Sequence, residues 1–335
     1  MSQNEPRRIG RSGVALSVFG FGAAPIGNLF AAVDEDSACE ALVQALHAGI
    51  RHIDTAPYYG YGLSEQRVGR VLRTLMRETY TLSTKVGRIV SAGEAGAPAC
   101  GDYVAAGRAQ FDYTRGGVLR SIESSLSRLG VDRVDILLLH DVGAATHGAR
   151  HEAMLQLALE EALPTMAELR DSGVCGAIGL GVNEEAVCLE ILPRFDLDCI
   201  LLAGRYSILD HASVHGLMAE ALRRRIGVLV GGPYNSGLLA SPEGPGSTYD
   251  YRPADQARLQ RARELYALCE NHGVDVGAVA LHFPLAHPAV VSVVAGMRSP
   301  AEVATAVRRI GSAIPQVLWD RLRSAGFILP DAPTP

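Results

Sequence analysis

The stretch Val134-Asp135-Ile136-Leu137-Leu138-Leu139-His140 decides the fold. A short leucine-rich run closed by a polar residue reads as one strand of a parallel sheet. Helical patterns flank it, Thr114 to Leu129 before and Glu152 to Ser172 after. The run is therefore one step of a βα series.

The alternation continues outward to both ends of the chain. Strand candidates end near Gly22, Asp54, Lys85, His140, Gly181, Ala203, Gly231 and Gly296. Further helices are expected near Asp36 to Ala48, Ser64 to Leu75, Glu184 to Leu192, Ser213 to Arg225, Pro253 to Asn271 and Ser299 to Arg309. Ser64 before Glu65 and the apolar series Val68, Val71, Leu72, Leu75 reads as a helix start, while Gly173 and Gly273 sit where C-terminal glycines fall. Eight such units, with no Pro/Gly/Ser linker or composition shift, favour an α/β fold of the TIM-barrel class. The expectation is a single (β/α)8 barrel domain spanning residues 1–335. A two-domain open-sheet enzyme is the alternative. Residues 6–18 are expected to form an N-terminal hairpin plugging the barrel bottom, with extra helices at 275–287 and 315–326. Segments 86–113 and 232–252 exceed ordinary loops and follow strands, so they read as lids over the C-terminal mouth or, alternatively, as surface insertions.

Composition narrows the function. Of 31 cationic side chains among 335 residues, one is a lysine, Lys85. Thr84 before it excludes a Walker A loop, Thr81 excludes the Tyr-x-x-x-Lys pair of short-chain dehydrogenases, and no Gly-rich loop of the kinase type precedes it. A net charge of −5 offers no basic field for nucleic acid, and Arg223-Arg224-Arg225 reads as a helix C-terminus. Six cysteines without CxxC spacing read as reduced thiols. The start MSQNEPRRIGRSG has no apolar signal region, and no apolar run approaches a membrane span of roughly 18 residues. A cytoplasmic protein without membrane or nucleic-acid partners is expected. His147 with His151 and His211 with His215 have i,i+4 spacing, but Leu155 stands where a zincin-type motif from His151 needs its second histidine, so no metal is assigned.

Asp54, Lys85 and His140 close three strands, and Tyr59 follows Asp54 in the loop Thr55-Ala56-Pro57-Tyr58-Tyr59-Gly60. Neighbouring strand ends of a parallel barrel converge on one mouth. There an ammonium at Lys85 would stabilise a Tyr59 phenolate, Asp54 would hold Lys85 charged, and His140 would hydrogen-bond the oxygen being oxidised or reduced. Singly, each is equally a core ion pair, a satisfied core histidine or a packing tyrosine. Together, they favour catalysis. A Schiff-base lysine in a barrel lyase is the rival chemistry.

The string from Asp54 to Gly60, then Ser64-Glu65, with Ser83-Thr84-Lys85 and Leu138-Leu139-His140, resembles the aldo-keto reductases. The likeness runs from Leu16-Ser17 to Ser299-Pro300. It implies a (β/α)8 enzyme moving hydride between nicotinamide and a carbonyl or alcohol, with Asp54, Tyr59, Lys85 and His140 as its tetrad. Gly22-Ala23-Ala24-Pro25-Ile26-Gly27-Asn28-Leu29-Phe30, Leu201 to Tyr206 and Asn235 to Ala240 resemble the branch with the D-threo-aldose, L-fucose and pyridoxal 4-dehydrogenases. That branch implies oxidation of a cyclic hemiacetal, a sugar or a pyridoxal-like lactol, to its lactone. A general aldehyde or ketone reductase and a cofactor-sensing subunit are the alternatives.

For the cofactor, the resemblance implies contacts from Gly22, Ala23 and Asn183. It also implies a pyrophosphate cradle of Pro233, Asn235, Ser236, Gly237 and Leu238, where small residues allow close approach of backbone N–H groups. Val182, Ala203 and Gly231 depart from the family's serine, glutamine and stacking aromatic, leaving Tyr206 or Tyr234 to hold the nicotinamide. Gly20-Phe21-Gly22-Ala23-Ala24-Pro25 is a near miss to Gly-x-Gly-x-x-Gly and is discounted. Glu302 stands where the family places a basic 2′-phosphate partner, which favours NAD over NADP, although Arg298 one turn earlier could pair with a phosphate. Tyr58, Phe111 and Tyr249 are the candidate substrate wall. A monomer or weak homo-oligomer is expected.

Overall fold

The structure, a computed structural model, describes residues 5–92, 103–104, 107–241 and 243–335. Eight strands form its centre: β1 (Phe19–Gly22), β2 (His52–Asp54), β3 (Thr81–Val86), β4 (Ile136–His140), β5 (Ala177–Val182), β6 (Cys199–Ala203), β7 (Gly227–Gly231) and β8 (Val290–Gly296). All pair in parallel with their chain neighbours, and β8 returns to β1, which closes the barrel. The expected strand ends hold to within a residue.

The leucine run shows why a barrel forms. Ile136 and Leu138 belong to an inner cluster with Cys199, Leu201 and Leu229, whereas Leu137 and Leu139 belong to the outer cluster shared with the helices. Successive side chains on a strand point to opposite faces, so a strand apolar at every position needs cover on both. The barrel interior supplies one cover and the helical ring the other. At the bottom, Arg7–Arg8 pairs antiparallel with Ala15–Leu16, and Ile9, fully buried, joins the inner cluster. The N-terminal hairpin thus seals the end away from the strand termini.

The helices lie near their expected places, and those at Val276–Leu285 and Gln316–Ser324 are the two additional ones. Gly173 (φ 83°) and Gly273 (φ 66°) take the left-handed form expected after a helix. Two expectations change. Ser64 lies inside the helix Leu63–Leu72; its hydroxyl donates to the Ala23 carbonyl (2.8 Å) and bonds Thr55 (2.9 Å), so it ties two strand ends together. The stretch 152–172 is His151–Leu157 and Leu163–Asp171 joined by a π-turn at Ala158–Ala162, beside Pro164, which lacks the amide a regular helix would use.

Both long segments carry structure of their own. Arg88–Ala92 pairs antiparallel with Gly107–Phe111, and Thr248–Tyr249 pairs with Arg252–Pro253. Residues 93–102 and 105–106 of the first segment, including Cys100, and residue 242 of the second lie outside the described residues. The other five cysteines are free thiols. Among the described residues no helix is long and apolar enough to cross a membrane.

Candidate active site

The strand ends bring Asp54, Lys85 and His140 to one mouth, with Tyr59 beside them. Lys85 Nζ donates to Asp54 Oδ1 (3.0 Å) and Oδ2 (2.8 Å) and to the Thr55 carbonyl (2.9 Å). All three of its protons are thereby placed, at a side chain 1% exposed. The ammonium lies 4.7 Å from the centre of the Tyr59 ring, over its face. A lysine held in this way is charged, which disfavours the nucleophilic amine of a Schiff-base enzyme.

Tyr59 differs from the simplest expectation. Burial, with the charge of Asp54 adding to it, holds its phenol well above the ordinary tyrosine range. The charge of Arg88 opposes this rise without undoing it. The proton therefore stays on Tyr59 at neutral pH. His140 has a ring centre 6.2 Å from that of Tyr59. Burial, reinforced by the positive charges of Arg88 and Lys85, holds its imidazole well below 6.5 and neutral.

Support comes from residues that strand position alone does not reveal. Ser83, two before Lys85 on the same face of β3, donates to Asp54 Oδ1 (2.7 Å), and His52 bonds Ser83 Oγ (3.1 Å). Buried Glu65 accepts from Thr84 (2.7 Å) and Arg128 (2.6 Å), fixing the strand that carries Lys85. Tyr103, whose backbone bridges to Leu29, stacks its ring 6.1 Å from that of Tyr59. The alternation of Ser83 with Lys85 was a signal for the first; nothing local in the sequence points to Tyr103.

A groove of about 510 Å³ leads away from Asp54 and Tyr59 to Thr305 and Arg309 on the last barrel helix. Its walls include Gly22, Pro233, Ser236, Gly237, Arg298 and Glu302. Leu201, Ala203, Gly231 and Val294 give it an apolar floor. Other expected contacts lie elsewhere. Ala23 is buried with its amide bonded to Asp54 O (2.8 Å), and Leu238 is core. Asn235, in left-handed conformation, faces a separate small hollow by Arg205, and Asn183 is not on the groove wall. Within the expected phosphate cradle the amides of Asn235, Gly237 and Leu238 are bonded to the loop's own carbonyls, because the tight turn closes on itself. Tyr234 lines the groove, whereas Tyr206 is fully buried and stacked on Phe283.

The candidate substrate residues divide as well. Tyr58 and Phe111 both lie against the Arg88 guanidinium, at 4.1 and 4.6 Å, and Tyr58 also faces His140. Tyr249 lines the small hollow and bonds Asp210 (3.3 Å). The paired histidines are engaged separately, His147 with the Tyr113 hydroxyl, His151 with Glu190 and His211 with the Ser207 carbonyl.

The sequence pattern of the aldo/keto reductase family matches residues 18–325. Pyridoxal 4-dehydrogenase of Microbacterium luteolum is 37% identical over 98% of this chain and 99% of its own. D-threo-aldose 1-dehydrogenase of Pseudomonas sp is 36% identical, with 100% of each chain covered. An aldo-keto reductase from Bacillus halodurans, solved in its holo form, superposes with a TM-score of 0.72 at 26% identity, over 96% of this chain and 95% of that one.

The chain belongs to the aldo/keto reductase family. Members are oxidoreductases that use NAD(P)(H), so the groove of this aldo/keto reductase has a dinucleotide to accommodate. Its residues fit one. The volume suits an extended small ligand. At the far end the buried Arg309 Nη2 makes no hydrogen bond, a donor awaiting an acceptor. Near the middle, Arg298 donates through its backbone N (2.9 Å) and Nε (2.7 Å) to Glu302, so the two residues expected to act separately on a 2′-phosphate form one ion pair.

Proposed function

We propose that this enzyme oxidises the hemiacetal hydroxyl of a small cyclic aldose to its lactone, with NAD as the preferred acceptor. The observation that carries the proposal is the meeting of Tyr59, Lys85, Asp54 and His140 beside a dinucleotide-sized groove that Asp54 and Tyr59 help to line. Two similar proteins, named for D-threo-aldoses and for pyridoxal, support the substrate class. Aldoses and pyridoxal share an aldehyde that closes on a hydroxyl of the same molecule. The ring-form C–H and O–H are what oxidation to a lactone removes.

The chemistry that a bound nicotinamide would supply is acceptance of the hydride from the anomeric carbon. The chain's own residues handle the proton. Neutral His140 hydrogen-bonds the anomeric oxygen and fixes it toward Tyr59. In oxidation the Tyr59 oxygen accepts the hydroxyl proton only after its own proton has left to solvent, whereas in carbonyl reduction the protonated phenol is the donor. Lys85, locked by Asp54 and Thr55, keeps a positive charge beside the ring in which negative charge develops. Because the Tyr59 phenol titrates above its ordinary range, oxidation gains rate as pH rises. Carbonyl reduction loses none until that raised pKa is approached.

Tyr59→Phe tests the assignment. It should retain NAD binding by calorimetry while turnover falls by at least about a hundredfold, the usual contribution of a general acid–base. Retained turnover would reject it. A panel of aldoses, pyridoxal and simple aldehydes, followed by nicotinamide absorbance with NAD and NADP, tests the substrate class. Pyridoxal oxidised in preference to every aldose would move the assignment to pyridoxolactone formation. Activity confined to simple aldehydes would remove the lactol.

A further inference from the structure

His140 is followed by a residue of unusual backbone. Asp141 has φ 48°, the left-handed region that few residues other than glycine and asparagine enter without strain. The fold holds it there. Its amide donates to the Gly181 carbonyl (3.0 Å), and its own carbonyl accepts from the Tyr113 hydroxyl (3.1 Å). In a continuing strand this side chain would point to the outer face. The left-handed turn instead brings its carboxylate alongside His140, with Oδ2 3.5 Å from Nε2.

Arg88, three residues past Lys85, donates to that carboxylate. Its guanidinium lies over the faces of both the Tyr58 and Phe111 rings, and its buried Nε makes no hydrogen bond. The two side chains are 11% and 16% exposed. An ion pair so far withdrawn from water adds little to stability, since desolvation offsets most of the attraction. A strained backbone and a costly pair placed beside His140 point to a role at the mouth.

We propose that Arg88 and Asp141 form the wall that reads the ring hydroxyls next to the anomeric carbon of the substrate. The inference rests on the lactol chemistry above and names the groups that select among lactols. A sugar hydroxyl both donates and accepts, and an arginine fork adjoining a carboxylate offers it one partner of each kind in a nearly dry place. Tyr58 and Phe111 fix the guanidinium plane and so the direction of its donors. A substrate lacking the adjacent hydroxyl leaves the pair with nothing to bind, and sites built around a hydroxyl discriminate strongly against its absence.

The test is a cycle between enzyme and substrate. Asp141→Asn removes the charge with almost no change of shape, and asparagine tolerates the left-handed backbone; Arg88→Lys keeps the charge and removes the fork. Steady-state oxidation is measured for the aldose turned over best in the panel and for its 2-deoxy counterpart, for example L-fucose and 2-deoxy-L-fucose. With the full aldose, Asp141→Asn should lower kcat/KM by about ten- to a hundredfold, the range of a hydrogen bond to a charged group. The 2-deoxy sugar should show a loss of similar size with the unaltered enzyme. Combining both changes should cost much less than the product of the two. Losses that multiply, or no loss with either variant, would overturn the proposal. If Arg88→Lys fails to fold, the asparagine cycle decides alone. An unaltered enzyme inactive on every lactol instead removes the lactol chemistry itself.

Discussion

Glu302 and Arg298 show how two charges read separately along a sequence become one feature in space. The carboxylate accepts from both the backbone and the side chain of Arg298, so the guanidinium on the groove wall is already paired with the first turn of the following helix. A 2′-phosphate approaching there would meet the carboxylate and an arginine already paired. Glu302→Gln should therefore raise the NADP-to-NAD ratio of kcat/KM by about fivefold, the worth of roughly 1 kcal/mol at a half-exposed pair, and added salt should shrink the gain. An unmoved ratio would sink the idea. Residues of this kind mark what was legible. Asp54, Lys85 and His140 were readable because residue type and strand end coincide. Asp141 was not, because a left-handed backbone at a non-glycine residue is imposed by Gly181 and Tyr113 from other elements.

Among the elements, the loop after β2 decides where Tyr59 sits. Gly60 (φ 66°), Tyr61 (φ 53°) and Gly62 (φ 99°) are left-handed in succession, turning the chain sharply into the next helix. At Gly60 the backbone lies against Gly27, and a Cβ there would overlap the Gly27 carbonyl oxygen. Gly60→Ala should lower stability by about 2 kcal/mol or more, since strain of about 1–2 kcal/mol is joined by a backbone clash. The displaced neighbour is Tyr59, so turnover should fall as well. Denaturant midpoint and kcat, measured together, check this; a midpoint unchanged from the unaltered enzyme would mean that the two loops are not nested. Strands and helices were legible because their periodicity is local. The pairing of Arg88–Ala92 with Gly107–Phe111 was hidden because it depends on chain segments brought together across a long loop.

Across the whole molecule, barrel closure turns the single lysine into a reporter. Lys85 and a terminal α-amine are the only amines in a chain with 31 cationic side chains. Lys85 is 1% exposed, enclosed by strand ends and fully hydrogen-bonded. Native protein treated with an amine-reactive reagent should take one label rapidly, at the terminus. The second label should follow only when the barrel opens, with a denaturant midpoint that coincides with loss of far-ultraviolet ellipticity if the barrel unfolds as one cooperative unit. NAD should slow that second label by mass action, because a ligand that binds only the folded state lowers the open population in proportion to its saturation. Mass spectrometry of labelled peptides distinguishes the two sites. Rapid modification of Lys85 under native conditions would show that the mouth opens locally, and would mean that Asp54 and Thr55 do not hold the ammonium as the structure places it.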